Sequence, residues 1–287
     1  MVCQLAITAL LFCSCVLCDA ASRIRPGKKL FNDDYETVKF SPNQSPGFAY
    51  YTVNGSVPST GRPYTVHVAY LATGLPASFS IQLPTDGCCH VSHTSDTAKA
   101  HNCLYATNGG FFNEDTGCCI GNLIVDGNVV EFSGDSRVSF GLTPDSFVVG
   151  YMTNTTLKGG SLKLAQLIEG AGWIVRGGQS YINTSMVTEQ IPAQFVTLKA
   201  PRTAVAVSAT GAVGLIQVDG VEDLKVGLDL YEFSEVIIAL GWWHAANLDG
   251  GGSSVSVYKG TVVSQPTCED VPLICERAVT SITCMQP

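Results

Sequence analysis

"RTAVAVSATGAVGLIQVDG", residues 202–220, sets the fold class. Two β-rich runs flank a short turn of small and polar residues near Gly211, the signature of an antiparallel hairpin. The same grammar recurs along the chain. "NLIVDGNVVEFS" (122–133) turns at Asp126-Gly127, "VSFGLTPDSFVVGYM" (138–152) around Pro144-Asp145, and "SVSVYKGTVVS" (254–264) at Lys259-Gly260. Such Asp-Gly and Lys-Gly pairs suit tight hairpin turns because glycine accepts a positive φ. "YTVHVAYLA" (64–72), "SFSIQLP" (78–84) and "AVTSITCM" (278–285) read as further strands, and residues 23–62 as irregular and polar. Helical spacing is scarcer. "SLKLAQLIEGAG" (161–172) has apolar positions at helical intervals and ends in glycine. "DLYEFSEVIIALG" (229–241) carries the better signal: Asp229 and Glu232 can form a capping box, and Gly241 suits the position after the helix. The pattern predicts an α+β fold of mostly antiparallel hairpins, forming one or two sheets flanked by a few helices and stapled by disulfides.

Composition narrows the class. The chain has 287 residues, 46% hydrophobic and 14% charged, with a net charge of −8. That supports a sizeable buried core and argues against disorder. No basic run exists to bind phosphate backbones, so nucleic acid is not an expected partner. Residues 1–21 read as a secretory signal peptide despite lacking a basic start, with cleavage between Cys18 and Ser22. No later segment reaches the roughly 18 apolar residues of a membrane span. Residues 22–287 are therefore expected to form one domain in the secretory pathway, luminal or secreted.

Of twelve cysteines, eight lie beyond the leader: Cys88, Cys89, Cys103, Cys118, Cys119, Cys268, Cys275 and Cys284. An even number in a secreted chain favours disulfides, and zinc spacing is absent. Four N-glycosylation sequons begin at Asn43, Asn54, Asn154 and Asn183.

Four segments place polar residues at the ends of β-rich runs, three of them beside glycine. They are "YATNGGFF" (105–112), "PRTAVAV" (201–207), "IQVDGVED" (216–223) and "AANLDGGGSS" (245–254). They supply Asn108, Arg202, Asp219, Asn247 and Asp249, with Gly109, Gly110, Gly250, Gly251 and Gly252 beside them. Antiparallel strand ends can bring such groups to one site, and glycine permits close approach of a ligand. Asn108-Gly109 and Asp219-Gly220 could equally be plain turns, and Arg202 a surface arginine. Three glycines after Asp249 resist a plain explanation. Trp242 and Trp243 read as core ahead of a sugar-stacking platform, and His67, His90, His93, His101 and His244 show no metal spacing. The chain lacks G-x-S-x-G, a P-loop, a G-x-G-x-x-G following a strand, and H-E-x-x-H. No cofactor motif is evident, and a calcium ion near the carboxylates is left open.

"ATNGGFF", "APRTA", Asp219-Gly220 after an apolar strand and "NLDGGGS" stand in an order that resembles the phosphodiester glycosidases. "GWIVRGGQSYIN" (172–183) and "ICERAVTSITC" (274–284) extend the resemblance. It implies a hydrolase that removes α-linked N-acetylglucosamine from a GlcNAc-1-phospho-6-mannose diester on N-glycans, exposing mannose 6-phosphate. It implies Asp249 as nucleophile or base and Asp219 as a second carboxylate or sugar ligand. Arg202 would be a bidentate phosphate clamp, Asn108 and Asn247 would bond sugar or phosphate, and the amides at Gly109-Gly110 and Gly250–Gly252 would line an anion nest. It further implies paired bridges between Cys88-Cys89 and Cys118-Cys119, with Cys103–Cys284 and Cys268–Cys275. Vertebrate members continue into an EGF-like module, a membrane span and a cytoplasmic tail, none of which is expected here. The alternatives are a secreted glycan-binding module without catalysis, or a glycosidase of another sugar phosphodiester. Oligomeric state is open.

Overall fold

The computed structural model describes residues 32–40, 47–72, 77–134, 137–267 and 276–286. The leader, Asn43, Cys268 and Cys275 lie outside them. Every strand pairing among the described residues is antiparallel. The hairpin opens the central sheet: Arg202–Val207 and Val213–Val218 pair from Arg202↔Val218 to Val207↔Val213. Gly211 turns it at φ +85°. This sheet has seven strands, in the order Gln179–Ser180, Trp173–Arg176, His244–Asn247, Arg202–Val207, Val213–Val218, Pro63–Leu71 and Phe48–Ser56.

Both faces of that sheet are covered, and the two-residue period of a strand decides which residue meets which cover. Ala204, Ala206, Ile216 and Val218 pack in one core with Phe233, Val236 and Ile237 of the Leu230–Ala239 helix. Val205, Val207, Val213 and Leu215 join the opposite core. There they meet Phe140, Phe147 and Val149 from a six-stranded sheet, and Phe79, Tyr105 and Met285 from a five-stranded sheet. The six strands run Asp34–Lys39, Ser146–Tyr151, Ser139–Leu142, Gln166–Glu169, Leu123–Val125, Asn128–Glu131. The five run Thr261–Val262, Ser256–Tyr258, Tyr105–Asn108, Ile282–Met285, Phe79–Gln82. Gly214 leaves room for the Trp242 indole, which its missing Cβ would strike. Trp242 is buried as expected, whereas Trp243 is 44% exposed.

The α+β class and the antiparallel pairing match expectation, with three large sheets and a two-stranded ribbon in place of one or two sheets. The turns at Asp126-Gly127 and Lys259-Gly260 use positive φ at both residues. The Leu230–Ala239 helix has its Asp229–Glu232 capping box, and Gly241 follows at φ +89°. Three expectations need correction. Residues 161–172 hold no helix: Gln166–Glu169 is a strand between Ser139–Leu142 and Leu123–Val125. All four of its residues are buried, and a run buried on both faces loses its period. Residues 23–62 are not wholly irregular: Asp34–Lys39 and Phe48–Ser56 are strands at sheet edges, where burial is partial and no clean alternation marks them. The last strand is broken at Thr280-Ser281. Ala278–Val279 pairs with Ser92–His93, and Ile282–Met285 lies between Tyr105–Asn108 and Phe79–Gln82.

Three disulfides are present among the described residues: Cys88–Cys119, Cys89–Cys118 and Cys103–Cys284. The last joins buried residues 181 positions apart. Closing so long a loop restricts the unfolded chain, and its loss should cost about 2–5 kcal/mol. A Cys103→Ser/Cys284→Ser double variant is expected to melt on the order of 10 °C lower. A melting temperature unchanged within a degree would show that the bridge adds nothing to the core around it.

Candidate active site

Strand ends from two sheets meet around Asn108. It ends the Tyr105–Asn108 strand and is fully buried. Its Nδ2 donates to the Asp249 carbonyl at 2.8 Å. Its Oδ1 accepts from Thr203 Oγ1 at 2.7 Å and from the Val255 amide at 3.3 Å. Asn108 therefore brackets both ends of the 249–255 loop and ties them to the central sheet. Asn247 is equally buried, with Nδ2 donating to the Ala171 carbonyl at 2.9 Å. Its Oδ1 is buried and unpartnered. Of the two asparagines expected to bond substrate, Asn108 spends its side chain on the Asp249 loop, while Asn247 keeps one buried oxygen without a partner among the described residues.

The glycines also serve the protein's own packing. The Gly109 amide donates to the Ser281 carbonyl at 2.8 Å, and the Gly110 amide to Ser281 Oγ at 3.1 Å. The Gly250 amide donates to Asp249 Oδ1 at 2.9 Å, and the Gly251 amide to the Pro201 carbonyl at 2.9 Å. These four of the five amides expected to line an anion nest are engaged internally. The triplet is glycine for another reason. Gly251 sits at φ +57°, and a Cβ there would collide with the Glu222 carboxylate. A Cβ on Gly252 would stand 2.7 Å from Nη2 and 2.8 Å from Cζ of Arg277. Two charged side chains thus press directly on backbone next to Asp249.

Asp249 is 8% exposed. Burial pushes its carboxyl up to about 7, opposed by the Ser253 hydroxyl, the Arg277 charge and the Gly250 amide, and reinforced by Glu114. Ser253 is 1% exposed, and its hydroxyl lies near the carboxylate without completing a hydrogen bond to any described group. Arg277 donates from Nη1 to Glu114 Oε1 at 2.8 Å. The cluster is a buried acid titrating near neutrality, a guanidinium, an orphaned hydroxyl and a second carboxylate at the rim.

Arg202 is 2% exposed, with Nε donating to the Leu228 carbonyl at 3.3 Å. Its Nη2 donates to the carbonyls of Phe195 at 3.0 Å and Leu198 at 2.6 Å. Burial lowers its pKa to about 10, against the charges of Glu222, Asp229 and Asp249, so it stays cationic at neutral pH. Nε and Nη2 are held by backbone, so of the bidentate phosphate clamp expected of it only Nη1 makes no hydrogen bond to a described residue. Asp219 belongs to a neighbouring network. Its Oδ2 lies 3.2 Å from His67 Nε2, and its Oδ1 accepts from the Gln265 amide at 3.0 Å and Gln217 Nε2 at 3.3 Å. No hydrogen bond joins it to Asp249 among the described residues. No group of three His, Cys, Asp or Glu side chains among the described residues is arranged to hold a metal ion.

Arg277 and Glu114 were not singled out from sequence, and Ser253 was set aside for want of a G-x-S-x-G motif. Arg277 stood in a segment quoted only for its resemblance, and Glu114 in a cysteine-rich loop. The available signal was the glycine triplet itself, which demanded bulky neighbours from elsewhere in the chain.

The family model described as phosphodiester glycosidase matches residues 101–285. The chain belongs to the phosphodiester glycosidase family. It is 34% identical over 240 residues to N-acetylglucosamine-1-phosphodiester alpha-N-acetylglucosaminidase of Mus musculus, covering 78% of this chain and 46% of that protein. The Homo sapiens protein of the same name is 34% identical over 201 residues, covering 66% of this chain and 39% of the other. The chain thus spans less than half the length of these relatives. Among solved structures, the zebrafish catalytic domain of that enzyme, auto-inhibited by its pro-peptide, superposes with a TM-score of 0.79 at 30% identity over 88% of both chains. A hypothetical protein from Synechocystis shares the fold alone, with a TM-score of 0.65 at 13% identity over 83% of this chain.

Proposed function

We propose that this glycosidase hydrolyses a sugar-1-phosphodiester, with GlcNAc-α-1-phospho-6-mannose on N-glycans as its substrate, releasing GlcNAc and leaving mannose 6-phosphate. The mouse and human relatives, named as N-acetylglucosamine-1-phosphodiester alpha-N-acetylglucosaminidases, support the GlcNAc-1-phosphodiester part of that substrate. The observation that carries the chemistry is Asp249: a buried carboxylate titrating near 7 beside the Arg277 guanidinium. A general base works best with a pKa near the working pH. Ionised Asp249 takes a proton from water as the water oxygen bonds to C1. The C1–O bond breaks, and its electron pair leaves on the phosphate oxygen. That oxygen is stabilised as part of a phosphomonoester, which lessens the need for a strong acid on the leaving group. Arg277 faces the phosphate, with Arg202 as a buried positive charge behind it. Ser253 donates its unpartnered hydroxyl to the substrate or to Asp249. Asp219 supports the site from the His67 network, because both of its oxygens are already engaged.

Disulfides and the exposed sequons at Asn54, Asn154 and Asn183 support residence in the oxidising secretory pathway. No helix among the described residues is long and apolar enough to cross a membrane.

The test is release of GlcNAc from GlcNAc-α-1-phospho-6-mannose by the purified protein, with and without EDTA, following the first-formed anomer by NMR. Release as the β anomer, unaffected by EDTA, is expected. The α anomer would make Asp249 a covalent nucleophile instead. Loss with EDTA would put a cation in the mechanism. No release from folded protein that still binds the diester would leave a binding module. Asp219→Asn is expected to lower kcat/KM by no more than about tenfold, well short of the 10²–10⁴ typical of a general base. A larger loss would return Asp219 to the chemistry.

A further inference from the structure

Glu114 takes no bond-breaking role in the reaction above, acting on Asp249 only through its charge, yet its loop is closely braced. Its loop returns on itself from Phe112 to Cys119, which form a bridge. The Asn113 amide donates to the Cys118 carbonyl at 2.8 Å, and the Gly117 amide to the Asn113 carbonyl at 2.7 Å. Asn113 Oδ1 caps the turn, accepting from the amides of Asp115 at 3.0 Å and Thr116 at 2.9 Å. The Cys88–Cys119 and Cys89–Cys118 bridges staple the base of the same loop. From it, the Glu114 carboxylate reaches Arg277 at 2.8 Å. The Glu114 side chain is 45% exposed and that of Arg277 17%. Glu114 therefore lies on the solvent side of Arg277, and Gly252 and Asp249 lie on the inner side. An anion that reaches Arg277 comes within range of the negative charge of Glu114.

We propose that Glu114 is a specificity-determining residue that admits singly charged phosphodiesters and repels doubly charged phosphomonoesters. The inference rests on the function proposed above, in which cleavage turns the first kind of anion into the second. A diester carries one negative charge. A monoester, with its second pKa near 6, carries close to two at pH 7.5. Glu114 repels each in proportion to its charge, so a factor f against the monoanion becomes about f² against the dianion. The product is thereby pushed out of a site that still attracts the substrate.

The test compares binding of mannose 6-phosphate and of its methyl phosphodiester at pH 7.5, by calorimetry, to the wild type, Glu114→Gln and Asp115→Asn. Glutamine keeps an oxygen that accepts from Arg277, so the guanidinium keeps its place. Glu114→Gln is expected to bind the monoester about tenfold more tightly and the diester about threefold more tightly. In turnover, product inhibition should deepen by the larger factor. Asp115→Asn, which removes an exposed charge on the same loop, should change neither affinity by as much as twofold. Equal tightening of both ligands would overturn the proposal, as would weakening of both, which would make Glu114 only a prop for Arg277. Failure of every variant to bind the monoester at 10 mM, on the order of a very weak anion site, would also overturn it. Charge-graded binding without GlcNAc release by the wild type would instead sink the proposed reaction and leave the selectivity standing.

Discussion

Asp249→Asn is expected to lower kcat/KM on the sugar phosphodiester by about 10³-fold or more, the loss typical of a removed general base. The same variant should be more stable than the wild type at pH 8. The two effects have one cause. Burial makes the ionised form costly, and the folded carboxyl titrates at about 7 instead of its ordinary 3.8. Because the folded value is raised, the folded state holds a proton that the unfolded chain has already released. Stability from this group is complete below about pH 4 and is lost as pH rises towards 7. Asparagine never ionises, and its Oδ1 can still accept from the Gly250 amide. The melting temperature of the variant should match the wild type at pH 4 and exceed it by a few degrees at pH 8. Wild-type kcat/KM should climb with pH through about 7, since the base acts only when ionised. Full activity in the variant, or a wild-type profile flat from pH 5 to 8, would remove Asp249 from the reaction.

How much of this was legible in the sequence depended on whether the signal was local. The Asp126-Gly127 and Lys259-Gly260 turns were legible because both residues of each pair must adopt positive φ. The Leu230–Ala239 helix announced itself through a capping box contained in four residues. Gln166–Glu169 was misread because a strand with no exposed residue has no alternation to show. Phe48–Ser56 was missed although it begins FAYYTV, because a half-buried edge strand shows no clean alternation of apolar and polar positions. The site followed the same division. Asp249 stood out beside three glycines. Ser253 lies only four residues on, but the other partners of Asp249 could not be seen, because Glu114 and Arg277 reach the site only after strands 140 or more residues apart in sequence have paired. Asn108 was found for its glycine neighbours but turned out to hold the loop, a role that depends on Thr203 and Val255.

Gly252→Ala is expected to cost about 10²-fold in kcat/KM while leaving the fold intact, and the contrast with other glycines makes the effect specific. Gly252 has no positive φ, so alanine meets no backbone penalty there. Its Cβ would instead stand 2.7–2.8 Å from the Arg277 guanidinium. The far end of a flexible side chain yields before a backbone does, so Arg277 swings away. A displacement of about 1 Å at a charge-stabilising group is enough for a loss of that size. Gly109→Ala differs, because its Cβ would press on the Ser281 carbonyl at 2.8 Å, and that wall is backbone. It should lower the yield of folded protein, whereas Gly252→Ala should melt within a few degrees of the wild type. Displacing Arg277 also removes a charge that holds the Asp249 carboxyl down. The rising limb of the pH profile should therefore move to higher pH in Gly252→Ala. A rate loss with an unmoved limb would mean that Arg277 serves the substrate alone and does not tune Asp249. An unchanged rate would mean that the guanidinium over the glycine triplet is not the phosphate's partner, and that the cation must be sought at Nη1 of Arg202.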